Sequence, residues 1–357
     1  MANGRPEPVF VATLDRIEDE EAPLLTAFAA VRDVREGRTR AGRPYVDLEL
    51  ADQTRSVAGK IWDDAGAAIQ TAAGLRRGAV VKLLFRSEHY QGALQLNVRG
   101  IRTLTEREPG YDAGRVFGAG YPKVADSLCA NLVFDIETVP ATELATAPET
   151  IRKAVHRHAE RQGGDEDMVM GLSPMLGKVV SLAYGEADAE TDDGVRVLVV
   201  PPPEHDEAQR AAYPPWMQPV SEPELLEAFW ALAAHAGVVI TYNGRTFDVP
   251  FLVGRSLVHG IPARVDLLGN PYALRPHLDL YRVLTQGRPL GPMTLDMVCW
   301  SLGITSPKDE MDGSQVAPAY ARGDIEMIAT YNRKDVVATA AVFRRVREQV
   351  LRFRDDW

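Results

Sequence analysis

The 357-residue sequence predicts an all-β barrel followed by an α/β domain built on a central mixed sheet. Three observations predict it. Residues 1–110 read as short strands around one helical segment, residues 128–357 alternate strand and helix, and the stretch between them is rich in Gly and Pro with neither period. At ~150 residues per domain the length fits two domains.

Within residues 1–110, Ala27 to Val34 is strand-like, and Tyr45 to Leu50 alternates polar and apolar with period two. Ser56 to Trp62 is a third strand, Ala65 to Leu75 is Ala-rich and helical, and Ala79 to Phe85 and Leu94 to Ile101 are two more strands. The order β-β-β-α-β-β is that of a five-stranded OB barrel. Thr105 to Pro122 marks a linker, with the boundary near Gly110 to Gly120, so residues 111–127 are assigned to it.

In the remainder, Leu132 to Ile136, Lys178 to Tyr184 and Val195 to Val200 read as strands. Pro223 to His235 is an amphipathic helix leading into strand Gly237 to Tyr242. Two pieces interrupt the alternation: a helical insert from Thr142 to about Met175, with the acidic run Asp165 to Asp167, and a Pro-rich loop from Pro201 to Pro219.

Composition narrows the class. With 45% hydrophobic residues the chain can pack a core, and its apolar stretches, such as Ala22 to Val31, fall short of the ~18 to 20 residues of a membrane span. The first residues, Met1 to Pro8, lack the basic-then-apolar layout of a signal peptide, so a cytoplasmic protein without membrane partners is expected. Cys129 and Cys299 show no metal spacing and are expected as buried filler. The net charge of −10 argues at first against a nucleic-acid ligand. Residues 1–110, however, hold 16 Lys and Arg against 16 Asp and Glu, so the whole acidic excess lies beyond them.

Three segments carry the chemistry. Asp135 and Glu137 stand at i and i+2 at the end of the apolar strand Leu132 to Ile136, so both carboxylates point to one face. Like charges in a half-buried sheet raise each other's pKa unless a cation offsets them. That suggests a site of hard oxygen ligands of the type Mg²⁺ or Mn²⁺ prefers, although Asp-x-Glu at a strand end is also a common turn or cap feature. In the second segment an apolar strand runs through a Gly-containing turn to Asp248, with Asn243 and Phe247 before it. In the third, Tyr331 and Asp335 lie at i and i+4 on one helix, sharing a face.

Together the three segments resemble the exonuclease motifs of the DEDD superfamily in its tyrosine form. Asp135-Ile-Glu137 resembles motif I, Asn243-x-x-x-Phe247-Asp248 motif II, and Tyr331-x-x-x-Asp335 motif III. The similarity is strongest to predicted exonucleases related to the family B polymerase proofreading domain. It extends over about residues 130–348, through Thr138 in Asp135 to Pro140, His277-Leu-Asp279, Thr294-Leu-Asp296 and Asp312-Gly-Ser314.

This resemblance implies a ribonuclease H-like fold for residues 128–357 and stepwise 3′→5′ hydrolysis to nucleoside 5′-monophosphates. It implies that Asp135, Glu137, Asp248 and Asp335 ligate two divalent ions, Mg²⁺ or Mn²⁺, and that Tyr331 orients the attacking water. Thr138, Asn243 and Phe247 would hold the terminal nucleotide. Asp279 and His277 are weighed as site-lining or structural, and Asp296 as a residue near a helix start.

For the barrel, the loop Arg35 to Arg43, with Arg38 and Arg40 inside it, is the most basic stretch. Alternation sends Lys60, Trp62 and Arg99 outward, and Tyr90 falls in the expected loop Ser87 to Gly92. These residues are candidate contacts for single-stranded nucleic acid. Asp47 and Glu49 face outward as well and oppose phosphate, which keeps a structural or protein-binding barrel in view. The leading expectation is a metal-dependent exonuclease acting on a single strand with a free 3′ end, DNA ahead of RNA. The alternatives are a non-catalytic single-strand-binding protein and a structure-specific endonuclease on the same fold.

Overall fold

The computed structural model describes residues 7–19, 23–105, 107–189, 191–288, 293–306, 311–354 and 357. Met1 to Pro6, on which most of the signal-peptide reading rests, lie outside the described residues, as do Ala22 and Glu106. Contacts divide the chain into two compact units. One comprises residues up to Asp126 with Trp230–Gly237, the other Ser127–Phe229 with Val238–Trp357.

In the first unit, β1 (Val9–Phe10), β2 (Leu25–Arg38), β3 (Pro44–Ala51), β4 (Ser56–Trp62), α1 (Ala67–Ala73), β5 (Val80–Tyr90) and β6 (Ala93–Thr103) follow one another. The order β2-β3-β4-β6-β5, with β5 pairing back onto β2, closes five strands into a barrel-like sheet. Only β4 and β6 run parallel within that closed set, and β1 adds a short parallel edge to β2. Alternation fills the interior: Val46, Leu48, Leu50, Val57, Ile61, Leu94, Leu96 and Val98 are all buried. Register shifts leave one extra residue in β2, Arg32, and one in β6, Arg99, a feature that bends strands toward closure.

Three expectations are corrected here. The basic stretch is not one loop, because β2 extends to Arg38 and pairs Arg35 with Asp47 and Arg38 with Pro44, leaving a turn of Thr39 to Arg43. Tyr90 is not in a loop but ends β5, opposite Ala93, across a two-residue turn in which Gln91 (φ 53) and Gly92 (φ 82) both adopt the left-handed conformation tight hairpins require. Both strand ends are exposed, so ladder hydrogen bonds hold them and no apolar alternation announces them. Third, the stretch read as an irregular linker holds α2 (Ala113–Phe117) and α3 (Tyr121–Val124). Its Gly and Pro residues serve as helix boundaries: Asp112 caps α2 through Gly114 N–H, Gly118 (φ 96) ends it, and Pro122 sits in the first turn of α3.

The second unit begins with β7 (Asn131–Pro140), α4 (Glu149–Gln162), α5 (Glu166–Gly171), β8 (Gly177–Glu186), β9 (Arg196–Val199), α6 (Glu207–Ala211) and β10 (Met217–Pro219). It continues with α7 (Glu222–His235), whose residues from Trp230 on are counted with the first unit, then β11 (Val238–Thr241), α8 (Asp248–His259), β12 (His277–Asp279), α9 (Leu280–Thr285), α10 (Leu295–Leu302), α11 (Val316–Ala321) and α12 (Ile325–Gln349). The sheet order is β10-β9-β8-β7-β11-β12, antiparallel at β7/β8 and β8/β9 and parallel elsewhere. It is the mixed sheet that alternating strands and helices predict. The Pro-rich loop is more regular than its composition suggests: α6 has a reciprocal Asp206/Gln209 capping box, and β10 forms the sheet edge, where Pro219 is tolerated. The acidic run of the insert starts α5, with Asp165 accepting from Met168 N–H and Glu166 and Asp167 in the first turn.

Two features position the site. β7 lies inside the sheet, flanked by β8 and β11, and α12 packs across β7 and β8. The buried stripe Ile325, Ile328, Tyr331, Asn332, Val336, Thr339, Phe343 and Val346 gives α12 its register on that sheet. No helix among the described residues is long and apolar enough to cross a membrane. Both cysteines are buried, and burial pushes the Cys129 thiol up to about 12 and the Cys299 thiol up to about 11.

Phe134, buried on β7, meets Phe229 at 4.8 Å between ring centroids. Phe134→Ala is expected to lower stability by about 3–5 kcal/mol, read as a lower urea midpoint than that of the parent.

Candidate metal centre and nucleic-acid interface

Asp135 and Glu137 project from one face of β7, as strand alternation requires, and Asp335 reaches them from α12. One carboxylate oxygen from each of the three lies within 4.8 Å of the others. Asp248, 5% exposed, is the first residue of α8, and its Oδ1 accepts a hydrogen bond from the Ile136 N–H of β7 at 3.3 Å. A backbone donor between Asp135 and Glu137 thus ties the second segment to the first. Tyr331 lies one turn before Asp335 on α12 and hydrogen-bonds to its carboxylate.

Burial dominates the electrostatics. It raises the Asp135 carboxyl well above the ordinary carboxylate range, and the charges of Asp248, Asp335 and Glu137 push the same way. Glu137 is raised by burial, then by Asp335 and Asp248. Asp248 is pushed up to about 7 by burial, against the lowering effect of its own backbone N–H and that of Ile136. Burial and the same acids raise the Tyr331 phenol, which keeps its proton. A neutral neighbour lowers Asp135: Asn332 Nδ2 donates to Asp135 Oδ2 at 2.7 Å, while Asn332 Oδ1 accepts from the Ser181 hydroxyl at 3.1 Å. The donor set fits a hard divalent cation, being all oxygen, close-set and short of positive charge.

Asn332 and Ser181 escape sequence reading. Asn332 is 0% exposed in mid-helix, where Asn is a poor helix former, and its place beside Tyr331 was the available signal. Asp279 is structural in its contacts: Oδ1 accepts from Asn243 N–H and Tyr281 N–H, and Oδ2 from Arg245 N–H. His277, fully buried, accepts from the Thr241 hydroxyl at Nε2 and faces the Leu267 carbonyl with Nδ1; burial lowers it to about 3, so it is neutral. Asp296 lies in the first turn of α10.

The residues expected to hold a nucleotide are placed less uniformly. Asn243 (φ 64) is exposed at the turn after β11, with Oδ1 accepting from the Thr246 hydroxyl. The Phe247 ring sits 5.5 Å from Phe251. The Thr138 hydroxyl donates to the Gly171 carbonyl.

On the barrel, Lys60 Nζ pairs with Asp47 at 2.7 Å and lies 4.3 Å from the Tyr45 ring and 5.0 Å from the Trp62 ring. Arg99 pairs with Asp64, Arg43 with Asp63, and Arg38 donates to the Gly42 carbonyl. Arg40 is exposed, as is Tyr90 at 61%.

Residues 174–355, which include Asn243 to Asp248 and Tyr331 to Asp335, match the family described as predicted 3′-5′ exonuclease related to the exonuclease domain of PolB. A DNA polymerase of Pyrococcus glycovorans is 30% identical over 142 residues, covering 35% of this chain and 18% of the polymerase. The chain therefore spans less than a fifth of that relative. The family B DNA polymerase of Pyrobaculum calidifontis aligns in structure at TM-score 0.42 and 15% identity, over 89% of this chain and 46% of that one. A mitochondrial single-stranded DNA binding protein of S. cerevisiae aligns at TM-score 0.21 and 18% identity, over 23% of this chain and 95% of that one.

The raised carboxyls have a definite pH signature. Native Asp248 holds its proton up to about pH 7, while an unfolded Asp releases it near 3.8, so the native state binds more protons between these values and stability falls as pH rises through them. The metal-free protein is expected to melt at least about 3 °C lower near pH 8 than near pH 5. Mn²⁺ or Mg²⁺ should restore the melting temperature, and Asp248→Asn should flatten the slope; calorimetry with and without chelator checks it.

Proposed function

The chain belongs to the family of predicted 3′-5′ exonucleases related to the exonuclease domain of PolB, and from that premise we propose that it hydrolyses single-stranded nucleic acid, DNA ahead of RNA, from a free 3′ end to nucleoside 5′-monophosphates. One observation carries the reading: the carboxylates of Asp135, Glu137 and Asp335 converge within 4.8 Å, with Asp248 buried behind them and Tyr331 one helical turn away. In this reading residues 128–357 are a ribonuclease H-like nuclease domain. Residues 1–110 are an OB barrel, supported by strand order β2-β3-β4-β6-β5 closing on β2, and 111–127 join them.

Asp135, Glu137, Asp248 and Asp335 are proposed to hold two Mg²⁺ or Mn²⁺ ions, which would activate water and offset charge on the leaving oxygen. The protein's own groups do the rest. Tyr331 keeps its proton because burial and three acids oppose ionisation, so it acts as a hydrogen-bond donor that orients water and not as a base. Asn332, held by Ser181, presents Asp135 in one rotamer. The exposed amide of Asn243 and the ring of Phe247 flank Asp248 and would position the last nucleotide, with Thr138 supporting the strand end through Gly171. On the barrel, Arg38, Arg40, Arg43, Lys60, Trp62, Tyr90 and Arg99 would contact the single strand, rings stacking on bases and guanidiniums on phosphates.

Two experiments test this. With 5′-labelled single strands and Mn²⁺ or Mg²⁺, the parent should produce a descending ladder and mononucleotides. Asp135→Ala should lose at least about 10²-fold in rate, and Tyr331→Phe at least about tenfold. Internal fragments would instead indicate an endonuclease, and intact strands a binding protein. Separately, the Arg38→Ala, Arg40→Ala double variant should weaken single-strand binding and reduce its log–log salt slope by about 0.7 per lost contact, measured by anisotropy over a salt series.

A further inference from the structure

A second cleft of the nuclease unit has the chemistry of a nucleotide site, and it borrows Arg245 and Asp279 from the motif segments while its remaining lining lies outside them. It encloses about 100 Å³ and is lined by Arg245, Arg282, Arg354, Asp279 and Tyr272 among others. Three arginines and one aspartate thus line it, Asp266 adds a second carboxylate near Arg245, and both oxygens of Asp279 are already engaged by the backbone N–H groups of Asn243, Arg245 and Tyr281. Arg245 is fixed in place, donating through Nη2 to the His277 carbonyl at 2.9 Å and through Nη1 to the Gly269 carbonyl.

Arg282 is different. Among the described residues its buried Nε has no hydrogen-bond partner, so the carbonyls that fix Arg245 have no counterpart at that atom. The chain makes room for this guanidinium. At the end of α9, Gln286 (φ 55) and Gly287 (φ 69) turn left-handed, and a Cβ on Gly287 would stand 3.3 Å from Arg282 Nη1. At the rim, Tyr272 is 76% exposed.

Paired guanidiniums match phosphate geometry, and an exposed phenol ring offers a face to a base. The cleft is also joined to the acid cluster: Asp279 holds the turn Asn243 to Arg245 that leads directly into Asp248. We propose that Arg282 and Arg245 bind a phosphodiester of the substrate strand upstream of the bond to be cut, and that Tyr272 stacks on the attached base. The inference rests on the exonuclease reading for its substrate and extends it to a strand subsite that sets apparent affinity for longer strands. A released nucleoside 5′-monophosphate carries the same phosphate chemistry, so the test separates the two.

The test compares the parent, Arg282→Ala, Arg282→Lys and Tyr272→Ala on a dinucleotide and a pentanucleotide with Mn²⁺. Arg282→Ala should raise KM for the pentanucleotide about tenfold with kcat within about twofold, and leave the dinucleotide, which has only the scissile phosphate, unchanged. Arg282→Lys should recover part of the loss, and Tyr272→Ala should raise the pentanucleotide KM about fivefold. Equal losses on both substrates, no loss on either, or a matching loss of inhibition by nucleoside 5′-monophosphate would each overturn the proposal. If the parent cuts neither substrate, the exonuclease reading fails by itself. Anisotropy of a labelled pentanucleotide then decides the subsite, with a roughly tenfold weaker Kd in Arg282→Ala supporting it and an unchanged Kd overturning it.

Discussion

The second unit is organised around a group of carboxylates that repel one another in a place water reaches poorly. Asp135 and Glu137 leave the same face of an internal strand, and α12 and the start of α8 bring Asp335 and Asp248 to that face. Each charge costs desolvation and raises its neighbours. The groups that hold the cluster are neutral donors: the Ile136 N–H, the Asn332 amide and, behind it, the Ser181 hydroxyl. An arrangement that lowers stability in isolation and is nonetheless held by specific hydrogen bonds has the character of a functional site.

Glu222, a buried acid of the same unit, behaves in the opposite way. Burial alone would raise Glu222, but Arg255, the Val179 N–H and His259 outweigh it, and the carboxyl falls below its ordinary value. Its contacts tie the start of α7 to β8 and α8. Asp279 spends both oxygens on three backbone N–H groups and shapes the turn that presents Asn243, Phe247 and Asp248. These two acids build the frame, whereas Asp135, Glu137 and Asp335 gather their oxygens within 4.8 Å of one another. The acidic net charge therefore contains two populations with different physical roles, a distinction no residue count can make.

Legibility followed periodicity. Strands that bury one face, such as Tyr45 to Leu50 and Leu94 to Ile101, were readable because core and solvent alternate along them. The outer parts of β2 and β5 were not, because Arg35 to Arg38 and Ser87 to Tyr90 are held by ladder pairing and leave no apolar trace. Glycine and proline were ambiguous for a related reason. The same residues that break helices also delimit them, and only the Asp112 side chain on Gly114 N–H distinguishes a capped short helix from a linker.

The sequence alone determined which side chains could do the chemistry. The i, i+2 spacing of Asp135 and Glu137 and the i, i+4 spacing of Tyr331 and Asp335 fix shared faces through the geometry of a strand and a helix, which are local properties. Tertiary structure alone decided how those faces meet. It placed the Ile136 N–H against Asp248, 112 residues away, and Asn332 against Asp135, 197 residues away. It also brought Arg282 and Tyr272 into the lining of one cleft. Hydrogen bonds and desolvation depend on distance in space, and separation along the chain carries almost none of that information.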